Sequence, residues 1–253
     1  MSWNPIELYY QHGLSGLVAT SEADGYPVSS ILDRIDGTLW KATGTGTQYL
    51  TFDAGSGKTY SPDFLLIFCH NLGTAGATVV LQHSSDNFAS DVNDYFAAFV
   101  PADDKAILKL FATSAKRYSR LKISGASVVP WIAMGYWGQR TVLDYADQMT
   151  PYDVERKANV NVGDSGYVQG IHKKYDEWGL MIKFADAEDD LVAKVRAWEE
   201  TVELGLFGVG WDPGNHSTDV RVMRRKDGKF KAPLKVGGLY ADVTLDLIGR
   251  REG

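Results

Sequence analysis

Short stretches of alternating polar and apolar residues dominate the first half of the chain. They recur between Gln48 and Pro130 with turn residues between them, as in QYLTFDAG, GATVVLQHSSDNF and RYSRLKIS, while DFLLIFCHNLG is a continuous apolar run. Alternation with period two predicts strands with one buried face, and a continuous apolar run predicts a strand covered on both faces. Turn residues at this spacing predict an antiparallel sandwich or barrel.

The pattern changes after Pro130. The segment WIAMGYWGQRTVLDYADQMTPYDVERKANVNVGDSG is irregular, polar and rich in glycine, which favours a connecting segment. The later segment DAEDDLVAKVRAWEETVELG places apolar residues on one face of a 3.6-residue period: Leu191, Val195, Trp198, Val202 and Leu206. It predicts one helix near 187–204, with strands on either side and a hairpin turn at Asp227-Gly228.

Composition narrows the class of protein. The 253 residues carry a formal net charge of −6, which argues against a general nucleic-acid binder because phosphate contacts need clustered Lys and Arg. A single cysteine, Cys69, excludes an internal disulfide. The N-terminal residues MSWNPIELYYQHG lack the pattern of a signal peptide, and no apolar run reaches the roughly 20 residues that span a bilayer. We therefore expect no membrane insertion.

The stretch AKRYSRLKISG contains four cations, Lys116, Arg117, Arg120 and Lys122, around one tyrosine. Such a patch has two interpretations, a phosphate or nucleic-acid site and a sandwich strand with a charged outer face. The acidic net charge of the whole chain favours the strand.

Four segments between Ser29 and Ile123 carry a family resemblance. SSILDRIDGTLWKA, QYLTFDAG, VVLQHSSDNF and KRYSRLKI follow one another in an order that resembles the discoidin, or coagulation-factor type C, family with its galactose-binding-like jelly roll. The resemblance implies a jelly-roll β-sandwich for residues 1–132. It also implies that KRYSRLKI is a late core strand with Leu121 and Ile123 buried, and that Arg117 or Arg120 pairs with carboxylates of the LDRIDG loop.

Jelly rolls of this type bind sugars or lipids through loops at one end, while others only hold assemblies together. A sugar site requires exposed aromatic rings for stacking and polar groups for hydroxyls. The candidates from loop regions are Trp40, Tyr60, His83, Asp86 and Asn87. The alternative is that Trp40 belongs to the core and the other four are turn residues.

The second half carries a different resemblance. Its order of strand pair, helix and closing strands between Trp131 and Glu252 resembles the tail-tube or distal-tail fold of siphophages and related particles. The segment MTPYDVERKANVNVGDSGYVQG also resembles an element of predicted phage minor tail proteins. The resemblance implies an α+β split barrel with one flanking helix for residues 133–253, and subunits that form rings. The predicted fold class is thus mainly β, a jelly roll followed by this split barrel.

Basic residues gather in the closing strands, and they form a candidate assembly interface: Arg221, Arg224, Arg225, Lys226, Arg250 and Arg251. Asymmetric charge of this kind can steer the packing of subunits. The alternative is a solvated hairpin tip whose cations protect an edge strand.

The two resemblances together imply a structural component of a phage tail. It would be a distal-tail or tail-tip protein in a ring, sixfold or threefold, that contacts the tail tube, tape measure and hub in a virion assembled in the host cytoplasm. The alternative is a carbohydrate-binding module that contacts glycans of the host surface, and a glycan hydrolase ranks third.

Chemistry-bearing motifs are missing from the sequence. No two of the five histidines have the i, i+4 spacing of metal ligands, ATGTGTQ lacks the Lys-Ser/Thr of a phosphate loop, and GLSGL lacks the spacing of a nucleophile elbow. We therefore predict no catalytic, metal or cofactor residue and expect a protein that is not an enzyme.

Overall fold

The computed structural model describes residues 4–213, 215–216, 219–226 and 242–250. The chain forms two compact units. We call Leu8–Thr141 the sandwich unit, and Met1–Glu7 together with Val142–Gly253 the hairpin unit.

The first ten strands build two sheets. Their bounds are β1 (Glu7–Gln11), β2 (Val18–Ala19), β3 (Trp40–Lys41), β4 (Gln48–Asp53), β5 (Phe64–His70), β6 (Thr78–Ser84), β7 (Asn93–Asp94), β8 (Ile107–Leu110), β9 (Tyr118–Ser124) and β10 (Trp131–Val142). A 3-10 helix, Val28–Leu32, lies between β2 and β3. In the sandwich unit one sheet has the order β2-β4-β9-β6-β7, and the other has the order β1-β10-β5-β8 with β3 also beside β10.

The burial of these strands follows the sequence pattern. Alternate residues of β4 are buried, and in β5 every residue except Cys69 is buried. The predicted core residues Leu121 and Ile123 of β9 are buried. The indole nitrogen of Trp137 in β10 donates a hydrogen bond of 2.8 Å to Ser119 Oγ in β9, which joins the two sheets through the interior. The first half is therefore a β-sandwich, as predicted.

Strand β10 corrects the prediction for the segment after Pro130. Instead of a connecting segment it is a central strand, which pairs antiparallel with β5 from Ile132↔His70 to Gly138↔Phe64. The sandwich unit therefore extends to Thr141, nine residues beyond the predicted boundary at 132, and the first seven residues of the chain belong to the hairpin unit.

The hairpin unit contains the remaining elements. They are β11 (Gln148–Val162), β12 (Val168–Phe184), α1 (Asp189–Val202), β13 (Phe207–Gly210), β14 (Val220–Arg225) and β15 (Val243–Arg250). The strands form an antiparallel sheet in the order β11-β12-β15-β14-β13. Barrel closure is not seen within the described ranges, so the split barrel remains a prediction. The predicted turn at Asp227-Gly228 lies outside them.

Helix α1 confirms the predicted helix near 187–204. It buries Leu191, Val195, Trp198 and Val202 as the periodicity predicts, together with Val192, whereas Leu206 lies beyond the end of the helix and is half-buried. Asp189 and Asp190 occupy its first turn, where the helix dipole favours acidic residues. Among the described residues, no helix has the length and apolar character that crossing a bilayer requires.

Candidate functional site

The five residues predicted for a glycan site do not all lie together. Trp40 is fully buried, and its indole nitrogen donates a hydrogen bond of 3.0 Å to the carbonyl of Ser21. Its ring therefore offers no face for stacking against a sugar. The other four lie closer together, because the Tyr60 backbone pairs with Lys116 before β9, and Lys116 contacts Asp91 in the loop after His83 that contains Asp86 and Asn87.

Asp86 organises the loop that follows β6. Its carboxylate accepts hydrogen bonds from the hydroxyls of Ser84 and Ser90, at 2.8 and 2.6 Å, and from the backbone amides of Ala89, Ser90 and Asp91. The hydrogen bonds from Ser90 and Ser84 hold the pKa of Asp86 well below its usual range. These contacts occupy the carboxylate, so Asp86 shapes the loop.

Two residues of this loop have left-handed backbone conformations. Asn87 has φ 57° and Phe88 has φ 65°, values that are uncommon for residues with a side chain. Asn87 is exposed at the turn, whereas Phe88 is half-buried. The many hydrogen bonds to Asp86 and Ser84 stabilise this strained turn.

Tyr95, which the sequence did not single out, contacts His83 and lies near Tyr60. The His83 ring lies 4.5 Å from the ring of Tyr95, measured between centroids. Tyr95 donates a hydrogen bond to the carbonyl of Ser114, and Tyr60 donates one of 2.6 Å to the carbonyl of Trp137. Burial raises the pKa of both tyrosines, and the nearby Tyr95 raises that of Tyr60 further, so both hydroxyls stay protonated donors.

An ion pair lies beside these rings. Lys116 Nζ is 3.4 Å from Asp91 Oδ2, and Asp91 also accepts hydrogen bonds from the amide and hydroxyl of Ser85. Burial and then the charge of Lys116 lower the pKa of His83, so its imidazole is neutral near pH 7. The Nδ1 atom of His83 is buried without a hydrogen-bond partner. We call these residues the His83 cluster: Tyr60, His83, Asp91, Tyr95 and Lys116.

A row of four aromatic rings begins at Tyr95 of the His83 cluster. Tyr95 contacts Phe111 at 4.8 Å, Phe111 contacts Phe96 at 5.6 Å, and Phe96 contacts Phe99 at 6.0 Å between ring centroids. All four side chains are half-buried. Lys109 lies over the last ring, with Nζ 4.2 Å from its centroid. We call the four rings the aromatic row.

The described cations of the predicted assembly interface differ in their burial and in their partners. Arg225 is buried, and its Nη1 atom lies 2.6 Å from Glu199 Oε1, so its charge is used inside the hairpin unit. Arg221 pairs with Asp219 at 2.8 Å, and Lys226 pairs with Asp246 at 3.4 Å. Arg224 donates to the carbonyl of Arg225. Arg250 ends β15, and Arg251 lies outside the described residues.

The described residues contain no group of three His, Cys, Asp or Glu side chains that converges as a metal site would.

Neither a family model nor a curated protein matches the sequence. Among solved structures, a chitosan-binding module from a chitosanase/glucanase of Paenibacillus sp. IK-5 is similar, with 13% identity over 51% of this chain and 97% of that chain and a TM-score of 0.42. A family 32 carbohydrate-binding module from C. perfringens, in complex with galactose, has 15% identity over 53% and 99% of the two chains and a TM-score of 0.42. A further module from Clostridium perfringens, in complex with GalNAc-β-1,3-galactose, has 12% identity over 49% and 94% and a TM-score of 0.40. These similar proteins are carbohydrate-binding modules, the class that the sequence analysis placed second.

Proposed function

We propose that the sandwich unit binds a glycan at the His83 cluster and the aromatic row. The observation that carries this proposal is the row of half-buried rings beside an ion pair, with the Tyr95 ring common to both. Sugar rings present apolar faces and polar edges, so a surface that binds them needs aromatic rings next to charged or amide groups.

The parts of the site have separate roles in this proposal. The rings of Phe96 and Phe111 provide apolar surface for a sugar face. Lys116 Nζ provides a donor for hydroxyls, since its contact with Asp91 at 3.4 Å is long enough to be exchanged for contacts to a ligand, while Asp91, which also accepts hydrogen bonds from Ser85, holds Lys116 in place. The hydrogen-bonded Asp86 loop fixes the position of Asp91, so little ordering is needed on binding.

A glycan array followed by titration calorimetry tests the proposal. We expect the intact protein to bind at least one glycan, and we expect Phe111→Ala and Lys116→Ala each to weaken binding about tenfold. Tyr26→Ala is the matched control, because Tyr26 is exposed and lies away from the site. Tyr26 is near Lys41, which pairs with Trp131 at the start of β10, whereas Tyr60 of the site contacts Trp137 further along that strand. Binding that persists unchanged in both the Phe111→Ala and the Lys116→Ala variant, with the fold intact, contradicts the proposed site.

We further propose, as a second function, that the hairpin unit assembles with other subunits in a phage tail or similar particle. Its support is the hairpin of β11 and β12, in which Val160 lies opposite Ile171 and Val162 lies opposite Val168. Residues directly opposite one another share a face, and all four side chains are exposed, Ile171 by 70%. Apolar surface on a two-stranded hairpin is a mark of an interaction site, since such a hairpin alone is only marginally stable.

Native mass spectrometry tests this second function. We expect wild-type protein to form oligomers at micromolar concentration, and we expect the double variant Val160→Lys, Ile171→Lys to lose them. The matched control replaces Asn159 and His172, which oppose each other on the other face of the hairpin, by lysine. A wild-type monomer that is also absent from purified particles contradicts the assembly role.

A further inference from the structure

The hairpin unit contains a pocket of about 400 Å³ that neither proposed function uses. Its wall includes Trp211, Tyr145, Asp147 and Gln148, with Asn4 from the N-terminal segment of the same unit. Pockets of this size accommodate a small ligand, and aromatic walls with a few polar groups are typical of small-molecule sites.

Trp211 is held in one orientation by two independent contacts. Its Nε1 atom donates a hydrogen bond of 2.9 Å to Asp219 Oδ2. The His216 ring stacks on the indole with a centroid distance of 4.5 Å and an angle of 23° between the planes. An aromatic ring fixed before binding loses little freedom when a ligand stacks on it, which favours affinity.

The loop behind Trp211 is tied to the N-terminal segment by Asp212. This carboxylate is buried, and its Oδ1 atom accepts hydrogen bonds from the backbone amide and the side-chain Nδ2 of Asn4, at 3.2 and 2.8 Å. The Nδ2 atom of Asn215 donates to both Asp212 oxygens, at 3.1 and 2.9 Å. The pocket wall on this side is therefore preorganised by a hydrogen-bond network that satisfies its buried charge.

The residues that lead into the hairpin provide further polar groups to the pocket. Asp147 is exposed, and its Oδ2 atom accepts a hydrogen bond of 2.6 Å from the amide of Ala185, which fixes the carboxylate. Gln148 is exposed beside it, and Tyr145 is 62% exposed. Among the described residues that line the pocket, no side chain is positively charged.

We propose that this pocket is a second sugar site, specific for an uncharged hexopyranose. The fixed indole of Trp211 offers a stacking face, and the carboxylate and amide groups of Asp147, Gln148 and Asn4 suit hydroxyls. The carboxylate of an acidic sugar would be repelled by Asp147 with no cation in the described wall to offset it. The inference extends glycan binding to the hairpin unit but rests on different residues from those of the proposed function.

The experiment uses the intact chain with Phe111→Ala as background, which removes the stacking surface proposed for the sandwich unit. Glucose, galactose, mannose and N-acetylglucosamine are tested by saturation-transfer NMR and then by calorimetry. We expect at least one to bind, and we expect Tyr145→Ala and Asp147→Asn each to weaken that binding about tenfold. Tyr167→Ala is the control, because Tyr167 is exposed and lies at the hairpin turn outside the pocket. Both pocket variants should fold. Tyr145 is largely exposed, and the amide oxygen introduced by Asp147→Asn can still accept the hydrogen bond from the Ala185 amide.

The charge preference supplies a second readout. The uronic acid of whichever sugar binds should bind at least about tenfold more weakly than the neutral sugar, and Asp147→Asn should narrow that difference. Failure of all four sugars to bind in the Phe111→Ala background overturns the inference, as does binding that the pocket variants leave unchanged. Choline is tested in parallel. If choline binds, the sugars do not, and Asp147→Asn abolishes choline binding, the pocket is a cation site and the inference is overturned. Phe111→Ala changes only the glycan site proposed for the sandwich unit, and Tyr145→Ala and Asp147→Asn change only the pocket of the hairpin unit. Failure of one proposal can therefore be told apart from failure of the other.

Discussion

The guanidinium carbon of Arg120 lies 3.9 Å from the ring centroid of Phe88. Its other contacts complete a layered arrangement, because the same carbon lies 4.2 Å from the ring of Tyr49 and Nε donates a hydrogen bond of 2.9 Å to Gln82. Gln82 in turn donates to Asp94. The Arg120 side chain therefore lies on the outer face of the sheet. There it contacts Phe88 of the Asp86 loop, Tyr49 of β4 and Gln82 of β6, and so connects this loop to strands β4, β6 and β9.

The contacts of the basic stretch 115–125 favour the structural interpretation of its cations. Arg117 forms a two-pronged pair with Asp53, at 2.7 and 2.8 Å, and Lys116 pairs with Asp91. The resemblance implied pairing of Arg117 or Arg120 with the LDRIDG loop, whereas the partners are a carboxylate of β4 and an amide of β6. Strand register decides this, because Asp53 lies opposite Tyr118 and Gln82 lies opposite Arg120.

Arg120→Ala should lower the free energy of unfolding by about 2 kcal/mol, because a charged hydrogen bond and two cation–ring contacts are lost. Urea denaturation checks this value. Lys122→Ala is the control, since Lys122 lies two residues along the same half-exposed face, and it should change stability by less than about 0.5 kcal/mol. Equal effects of the two substitutions would contradict a specific role for the Arg120 layer.

The pair of Asp53 and Arg117 should make stability depend on acidity. The hydrogen bonds from Arg117, followed by that from the Gly55 amide, lower the pKa of Asp53 to about 2. A carboxyl whose pKa is lowered on folding stabilises the protein above its unfolded value of about 4, and that contribution is lost as the pH falls toward 2. We expect Arg117→Gln to raise the pKa of Asp53 in an NMR titration.

Acid unfolding of the same variants gives an independent measurement. Asp53→Asn should destabilise the protein at pH 7 and flatten the decline in stability between about pH 5 and 2. Asp24→Asn, at an exposed position outside the pair, is the control and should leave the decline unchanged. A wild-type pKa of Asp53 near 4 would show that the pair does not form in solution.

The elements that could be predicted are those in which buried residues recur at the period of a strand or a helix. Strand β4 and helix α1 each have one buried face, so their apolar residues recur at period two or near 3.6. Strand β10 was missed because Gly135 and Gly138 interrupt its apolar run. Glycine is required at 138 by a tertiary contact that the sequence does not show, since a Cβ atom there would overlap the backbone of Gln11. Strand β11 was missed because its described side chains are exposed or half-buried on both faces and leave no alternation to detect, whereas β12 is the strand predicted before the helix.

The candidate site was predictable only in part. Composition singled out Tyr60 and His83, which belong to the proposed site, and Asp86, which shapes the loop beside it, since turn residues and aromatics are visible in the sequence. The aromatic row was not identified because Phe111 is brought against Tyr95 and Phe96 only by the return of the chain through β8. The dense aromatics of DYFAAF were the available signal. Trp40 failed as a site residue because burial is set by tertiary packing.

The ion pair between buried Arg225 and half-buried Glu199 in the hairpin unit predicts an asymmetric response to substitution. Arg225 is buried, it pairs with Glu199 at 2.6 Å, and its guanidinium carbon lies 5.7 Å from the ring of Trp198. Glu199→Ala leaves a buried cation without its partner and should cost about 3 kcal/mol in thermal or urea unfolding. The exposed neighbour Glu200, replaced by alanine, should cost less than about 0.5 kcal/mol.

A double variant separates the pair from simple loss of packing. Glu199→Gln combined with Arg225→Met replaces both charges, and it should recover most of the stability that Glu199→Ala loses, because no uncompensated charge remains. A double variant that is as unstable as Glu199→Ala would assign the loss to packing around Trp198.

The close approach of β10 to the end of β1 predicts that alanine at Gly138 is strongly destabilising. A Cβ atom at Gly138 would overlap the carbonyl oxygen of Gln11, and backbone atoms cannot move aside as a flexible side chain would. Gly138→Ala should therefore lower the free energy of unfolding by about 3 kcal/mol or more. Gly46→Ala is the matched control, because no atom lies within 4 Å of a Cβ built there, and it should have little effect. A loss below about 1 kcal/mol at Gly138 would mean that β10 does not lie against β1 at this position.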